Sequence, residues 1–293
     1  MRRAFTACVN PISGSGEAAL VWEAVGGSLQ DLGFNVETVT TESRVHAEAT
    51  AADAAARGRI VVAVGGDGLV RDVAAGVAIH QGILAVVPAG RGNDFAAALR
   101  LPKTTNELSE LLLSAEPQMI DALLVNGTLV VGNAYCGIDA VANRIINSMR
   151  WLPGVVAYRV APFLSVLQWR ARNFTVEIDG ARTSLRSHLV AVGKSGMYGN
   201  GLHMIPGASL RGGKARAMLV RAPLTAIVAF LRQAKTGAHA GRSDVEFHDG
   251  NSFVIEADRP TRVYGDGEDL GLLPAVISVR ENALQVLAPK SAR

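Results

Sequence analysis

Arg59–Val64 reads RIVVAV and runs without a break into Gly65-Gly66-Asp67-Gly68. An apolar run of this length, closed by glycine, marks a strand buried on both faces, as strands of parallel sheets are. Working outward, the same sign recurs at Ile83–Val87 (ILAVV) and at Arg3–Asn10 (RAFTACVN), while Phe34–Thr40 alternates as FNVETVT. Helical spacing fills the gaps. Gly16–Leu32 would place Leu20, Val21, Ala24, Val25 and Leu29 on one side, His46–Arg57 is alanine-rich, and Val70–Ile79, Asn93–Leu99 and Thr105–Ser114 follow. Strand–helix alternation predicts a parallel sheet with helices on both faces, over residues 1–121.

The texture changes after Asp121. Strand-length runs take over at Leu123–Val125, Leu129–Asn133, Phe174–Ile178, Leu189–Val192, Ala217–Val220, Val245–Phe247, Phe253–Glu256, Ala275–Val279 and Leu284–Leu287. Asn126-Gly127, Asp179-Gly180 and Asp249-Gly250 are hairpin dipeptides. Helical inserts are expected at Ala140–Met149, Val155–Trp169 and Leu224–Lys235. The expectation is an α/β protein of two domains: an N-terminal parallel-sheet domain (1–121) and an antiparallel β-rich domain (122–285). A tail (286–293) could return to the first domain.

Composition narrows the function. The chain has 293 residues, 49% apolar and 19% charged, ample for two cores. Two cysteines, Cys8 and Cys136, exclude a disulfide framework and a cysteine-based zinc site. No run approaches the roughly 20 apolar residues of a membrane span, and the N-terminus does not read as a signal peptide. The expected location is therefore cytoplasmic, with any membrane contact peripheral. The 29 basic residues exceed the 26 acidic ones by only +3. Read as an excess spread along the chain, this argues against nucleic acid and is compatible with attraction to an anionic membrane or to phosphates.

Three glycine turns follow three predicted strands. Asn10-Pro11-Ile12-Ser13-Gly14-Ser15-Gly16 leads into a helix, whose free N–H groups and positive dipole end suit a phosphate. An ordinary strand–helix turn explains it equally well. The dinucleotide fingerprint fails because Ala19 replaces the third glycine, and a Walker A fails because His188 replaces the first glycine before Gly193-Lys194-Ser195. Gly65-Gly66-Asp67-Gly68 would place Asp67 at the carboxyl edge of the sheet, where ligands bind. Its carboxylate could hold a metal or orient a phosphate-bearing ligand, or the turn could be purely structural. Pro88-Ala89-Gly90-Arg91-Gly92-Asn93-Asp94-Phe95 adds a guanidinium suited to phosphate. Asn93 there could simply cap the next helix.

The ordered set N-P-x-S-G-x-G, G-G-D-G and P-x-G-x-x-N-D-F-A resembles the diacylglycerol kinase catalytic domain family, with its sphingosine- and ceramide-kinase relatives. Asn133–Ala140 (NAYCGIDA), Tyr198-Gly199-Asn200-Gly201 through Pro206 and Ala208, and Asp266-Gly267-Glu268 with Pro274 and ENALQVLAP continue the likeness. The resemblance implies an ATP-dependent lipid kinase with its active site in the cleft between an α/β nucleotide domain and a β-sandwich domain. The substrates it implies are ATP with Mg²⁺ and a membrane lipid, most readily diacylglycerol. It would assign Asn10, Ser13, Gly14, Thr41, Gly65, Gly66, Asp67, Gly68, Asp72, Gly90, Arg91, Gly92, Asn93 and Asp94 to the nucleotide. Glu268 would be the proton acceptor, with Asp266 beside it and Asp67 as a further catalytic carboxylate.

Two departures stand out: Leu69 replaces the family's threonine, and Gly212 replaces an aspartate of a metal site found in some members. Metal ligands are therefore left unassigned. The competing expectations are a catalytically weak lipid- or nucleotide-binding relative and an NAD kinase-like enzyme. The latter shares the G-G-D-G turn and the two-domain plan but lacks the first and third motifs. The lipid acceptor and the oligomeric state are not legible.

Overall fold

The computed structural model describes residues 3–149, 156, 160–161, 164–165, 168–221 and 223–290. The helix expected at 155–169 lies largely outside them. The chain divides into two compact units, Met1–Asp121 with Glu281–Arg293, and Ala122–Arg280. The second division falls at 280/281, inside the strand Ala275–Leu287 and beside Asn282, whose φ is 49°.

In the first unit, β1 (Ala4–Val9), β2 (Asn35–Thr40), β3 (Ile60–Gly65) and β4 (Ile83–Pro88) lie in the order β2-β1-β3-β4, all parallel. The returning C-terminal segment adds Gln285 and Val286 in parallel beside β4. Helices α1 (Glu17–Asp31), α2 (Arg44–Ala56), α3 (Asp67–Ile79), α4 (Asp94–Ala98) and α5 (Thr105–Ser114) connect the strands.

The face of α1 differs from expectation. Ala18, Trp22, Val25 and Leu29 are buried, whereas Leu20 points to solvent. The Trp22 indole donates to Thr38 Oγ1 at 2.9 Å, which fixes the rotation of the helix. Close packing of α2 on α3 uses small residues: a Cβ on Gly76 would stand 2.2 Å from the Glu48 carbonyl oxygen.

The second unit is antiparallel throughout its registered pairs. One sheet runs β14 (Val245–Gly250), β13 (Ala215–Val220), β10 (Leu189–Gly193), β7 (Asn133–Gly137), β16 (Arg262–Gly265), β17 (Glu268–Leu272). The other pairs the first residues of β18 (Ala275–Leu287) with β15 (Ser252–Ala257), β15 with β8 (Arg172–Ile178) and β8 with β9 (Ala181–Ser187). Cys136, Val190, Met218 and Val263 from the first sheet meet Phe174, Phe253, Ile255 and Ile277 from the second in one core. Strand β5 (Pro117–Val125) enters this unit and pairs with β6 (Thr128–Val130) through Asn126-Gly127, as the dipeptide predicts.

Asp249-Gly250 is not a hairpin. It ends β14, which pairs β13, while the following β15 pairs β8 and β18. The hairpin dipeptide is instead Asp266-Gly267, joining β16 to β17. Its φ angles of 47° and 87° fit the left-handed positions of a type I′ turn.

Candidate active site

The registers set the first unit's turns side by side. Val9 of β1 is level with Val64 of β3, and Gly65 with Pro88 of β4. All three glycine turns therefore leave the same carboxyl edge of the sheet, where open α/β sheets bind ligands.

They also touch, and only glycine permits the approach. A Cβ on Gly90 would lie 2.2 Å from the Gly66 Cα, and one on Gly14 2.7 Å from the Ala89 carbonyl oxygen. A Cβ on Gly65 would stand 3.1 Å from Ser13 Oγ. Asn10 anchors the first turn: its N–H reaches the Val64 carbonyl at 3.2 Å and its side-chain oxygen accepts from Ile12 N. Thr41 is tied in at the end of β2, its N–H and hydroxyl both directed to the Val9 carbonyl.

Asp67 has a role that its sequence context did not announce. Helix α3 begins at Asp67, three residues earlier than expected, so the G-G-D-G turn is itself a helix N-terminus. The carboxylate reaches across to α4 and accepts the N–H groups of Asp94 at 3.1 Å and Phe95 at 3.0 Å. Asn93 sits at the N-cap position of α4 but its side chain does not cap it. That side chain instead closes the third turn on itself, accepting from Gly90 N and donating to Gly90 O, both at 2.9 Å. Asp67 supplies the cap that Asn93 was expected to give. Gly66, by contrast, offers α3 no side-chain cap, and a Cβ on Gly68 would meet open space. This helix end is a fitting cradle for an anion.

Asp72 is buried and paired with Arg71, whose Nε stands 2.9 Å from its carboxylate, while Arg44 approaches at 3.6 Å. Arg91 is exposed and Gly92 half-buried on the third turn. Leu69 is buried over Gly65, so the threonine position presents no hydroxyl.

In the second unit the D-G-E hairpin is held from two sides. The Asp266 carboxylate accepts backbone N–H groups from Val131 at 2.8 Å, Gly132 at 3.0 Å and Asn133 at 2.9 Å. A Cβ on Gly132 would stand 2.5 Å from that carboxylate, which accounts for the glycine. The Asn143 amide of α6 (Ile138–Ser148) donates to the Gly267 carbonyl at 2.7 Å. Glu268 follows as the first residue of β17, half-buried. The Asp266 oxygens are thus committed to the 131–133 backbone, and Glu268 stands two residues further along the same hairpin.

Asp139, one helical turn before Asn143, accepts the Tyr198 hydroxyl at 2.8 Å. Burial pushes its pKa up to about 6, partly offset by that hydrogen bond. Tyr198 stacks on Tyr135 at 5.2 Å, and Tyr135 on Tyr264 at 6.2 Å. One face of α6 therefore braces both the Tyr198 segment and the D-G-E turn. Asn143 carried no sequence signal except its i, i+4 spacing from Asp139. Burial raises the Cys8 thiol to about 12 and the Cys136 thiol further, so neither is a nucleophile near neutral pH.

Among the described residues no three His, Cys, Asp or Glu side chains converge on a metal position. Gly212 has φ +93°, where a side chain would be strained. Among the same residues no helix is long and apolar enough to cross a membrane.

An α/β unit with three convergent glycine turns, joined in one chain to an antiparallel β unit bearing a braced acidic hairpin, defines a kinase-like enzyme. Residues 4–125 match the diacylglycerol kinase catalytic domain, and residues 132–288, more than half of the chain, match the YegS C-terminal NAD kinase beta sandwich-like domain. The chain belongs to the diacylglycerol kinase family that combines these two domains. A diacylglycerol kinase of Mycobacterium tuberculosis (strain CDC 1551 / Oshkosh) is 29% identical over 97% of this chain and 95% of its own. One from Staphylococcus haemolyticus is 24% identical over 99% and 89%. Two solved structures from Bacillus anthracis str. Sterne, one described as a diacylglycerol kinase, share 20% identity with this chain. They superpose with TM-scores of 0.83 and 0.77, over 99% of this chain and 99% and 98% of theirs, a likeness of fold.

Proposed function

We propose that this chain transfers the γ-phosphoryl group of ATP to the hydroxyl of diacylglycerol, giving phosphatidic acid, as a cytoplasmic enzyme working at the membrane surface. The observation that carries the reading is the backbone contact of the Gly66 and Gly90 turns beside the side-chain-uncapped start of α3. Such an arrangement gives phosphate oxygens N–H donors and a positive helix end at no steric cost. The names of the relatives support diacylglycerol as the acceptor.

In this reading Asn10, Ser13, Gly14, Thr41, Gly65, Gly66 and Gly68 shape the phosphate cradle, with Gly90, Arg91 and Gly92 on its third side. Arg91 would add a fixed positive charge for the β- and γ-phosphates. Asp67 acts through α4, together with Asn93 and Asp94, and Asp72 acts through Arg71 and Arg44. Mg²⁺, when bound with ATP, supplies neutralisation of the phosphate charge.

The acceptor oxygen forms its bond to the γ-phosphorus as the bond to the β–γ bridging oxygen breaks and ADP leaves. A lipid hydroxyl is a weak nucleophile, so its proton passes to the Glu268 carboxylate. Asp266 holds that hairpin in place.

The test is transfer of labelled phosphate from ATP in mixed micelles over a panel of diacylglycerol, sphingoid base, ceramide and glycolipid, with NAD as a soluble control. Label on diacylglycerol is expected. Label confined to another acceptor, or nucleotide binding without transfer, overturns the reading.

A further inference from the structure

The basic residues are segregated, contrary to the expectation of an evenly spread excess. Between Ala140 and Ser243 stand fifteen of the 29 Lys and Arg residues but only two of the 26 acidic ones, Glu177 and Asp179. Gly180–Ser243 contains no acidic residue at all. The remainder of the chain carries fourteen basic against 24 acidic side chains. A net charge of +3 therefore conceals a strongly positive stretch, all of it in the second unit, and a negative remainder. Summing over the chain cancels the two.

Helix α7 (Ile227–Ala234) shows what this stretch presents. Its inner side buries Phe230 and Ala234, with the Phe230 ring edge-on to His239 at 4.9 Å. Its outer side carries Val228, 49% exposed, with Arg232 and Lys235 at i+4 and i+7, both exposed. That spacing sets the three on one outward stripe. Arg221 and Arg242, at the flanks, are neutralised by Glu246 and Asp244. Among the described residues no carboxylate pairs with Arg232 or Lys235.

We propose that this stripe docks the enzyme onto an anionic lipid bilayer. A positive field alone would suit any polyanion. An exposed valine beside alanine, with two cations one and two turns further along the same stripe, suits an interface offering both negative head groups and a shallow apolar layer. The outward stripe has no aromatic side chain on which a nucleobase could stack. The inference rests on the lipid-kinase reading for its purpose, but its physics needs neither ATP nor turnover.

The experiment measures co-sedimentation of the full chain with phosphatidylcholine vesicles, with and without phosphatidylglycerol, at low and high salt and without nucleotide. The wild type should bind the phosphatidylglycerol vesicles and lose them as salt rises. At roughly fivefold per surface cation, R232Q/K235Q should weaken partitioning on the order of twentyfold, while the charge-preserving R232K should retain it. Phosphorylation of a short-chain, water-soluble diacylglycerol should be unchanged in R232Q/K235Q.

Equal binding to both vesicle types, or undiminished binding by the folded double variant, overturns the docking site. Tighter binding to a DNA duplex that depends on the same two residues also overturns it, in favour of nucleic acid. Vesicle binding by a chain that phosphorylates no lipid would sink the kinase reading and leave the docking site standing.

Discussion

The Asp67 carboxylate caps a helix to which it does not belong, accepting the Phe95 N–H at 3.0 Å from 28 residues away in sequence. Together with its bond to Asp94 N, it clips the second glycine turn to the third. The shape of the cradle thus depends on a carboxylate that need not touch the substrate.

Asp67→Ala should therefore act on stability and on ATP together. Loss of a helix cap costs about 1–2 kcal/mol, and the Gly90 turn loses its tether. A lower Tm with an increased KM for ATP is expected, and Asp67→Asn, which keeps one acceptor, should fall between. Calorimetry and steady-state kinetics on both variants decide the matter. Unchanged stability with a collapse of kcat alone would mean that the carboxylate works on the substrate.

Asn143→Ala should lower kcat about fivefold, an amount matching the roughly 1 kcal/mol of one hydrogen bond, and leave the KM for ATP near its wild-type value. The motivation is the 2.7 Å bond from its amide to the Gly267 carbonyl, within the D-G-E turn. Asn143→Asp keeps the shape but points lone pairs at that carbonyl, so its loss should be at least as large. A silent Asp variant would show that the residue merely fills space.

Asp139 gives a pH signature. Its folded pKa of about 6 lies above the ordinary 3.8 because burial disfavours the charge. A carboxyl whose pKa is raised on folding contributes stability that is complete below about pH 4 and is lost as pH climbs through 6. Asp139→Asn keeps an acceptor for Tyr198 and removes that loss. It should raise stability at pH 8, by no more than about 3 kcal/mol at 1.36 kcal/mol per pKa unit, read as a higher Tm, and change little at pH 4. Equal shifts at both pH values would refute the burial argument.

The first unit was legible because buried parallel strands are apolar without interruption, as Ile60–Val64 and Leu84–Val87 are. Helix rotation was not: Leu20 and Trp22 both fit an apolar face, and only the Thr38 hydroxyl selects between them. Hairpins were read from dipeptides, which specify left-handed φ but not partners. Asn126-Gly127 and Asp179-Gly180 turn between paired strands, whereas Asp249-Gly250 ends one strand before the chain moves to the other sheet. Within the site, the motifs marked where the turns are. The long-range bonds of Asp67, Asp266 and Asn143 join residues more than 25 positions apart, and no local pattern encodes such a join. Charge segregation was present in the sequence throughout and was lost only by summation.

Glu268 and Asp266 stand two residues apart in one hairpin, and their surroundings differ. Three backbone N–H groups converge on Asp266 and tie the hairpin to the 131–133 backbone, the geometry of an anchor. In the proposed reaction Glu268, first in β17, takes the hydroxyl proton. Glu268→Gln preserves size and hydrogen-bonding reach but cannot accept that proton. kcat should fall on the order of 10²–10⁴-fold, the usual contribution of a positioned base. A loose phosphoryl-transfer transition state needs the base late, which favours the lower end. ATP affinity and Tm should stay near wild type.

Asp266→Asn should behave differently. With one acceptor exchanged for a donor facing the Val131–Asn133 amides, it should lower Tm as well as kcat. Rates, nucleotide affinity and melting measured on both variants separate an acceptor from an anchor. A loss below about threefold in Glu268→Gln, set against that general-base range, would remove Glu268 as the base. Equal loss of Tm in the two variants would make the whole hairpin structural.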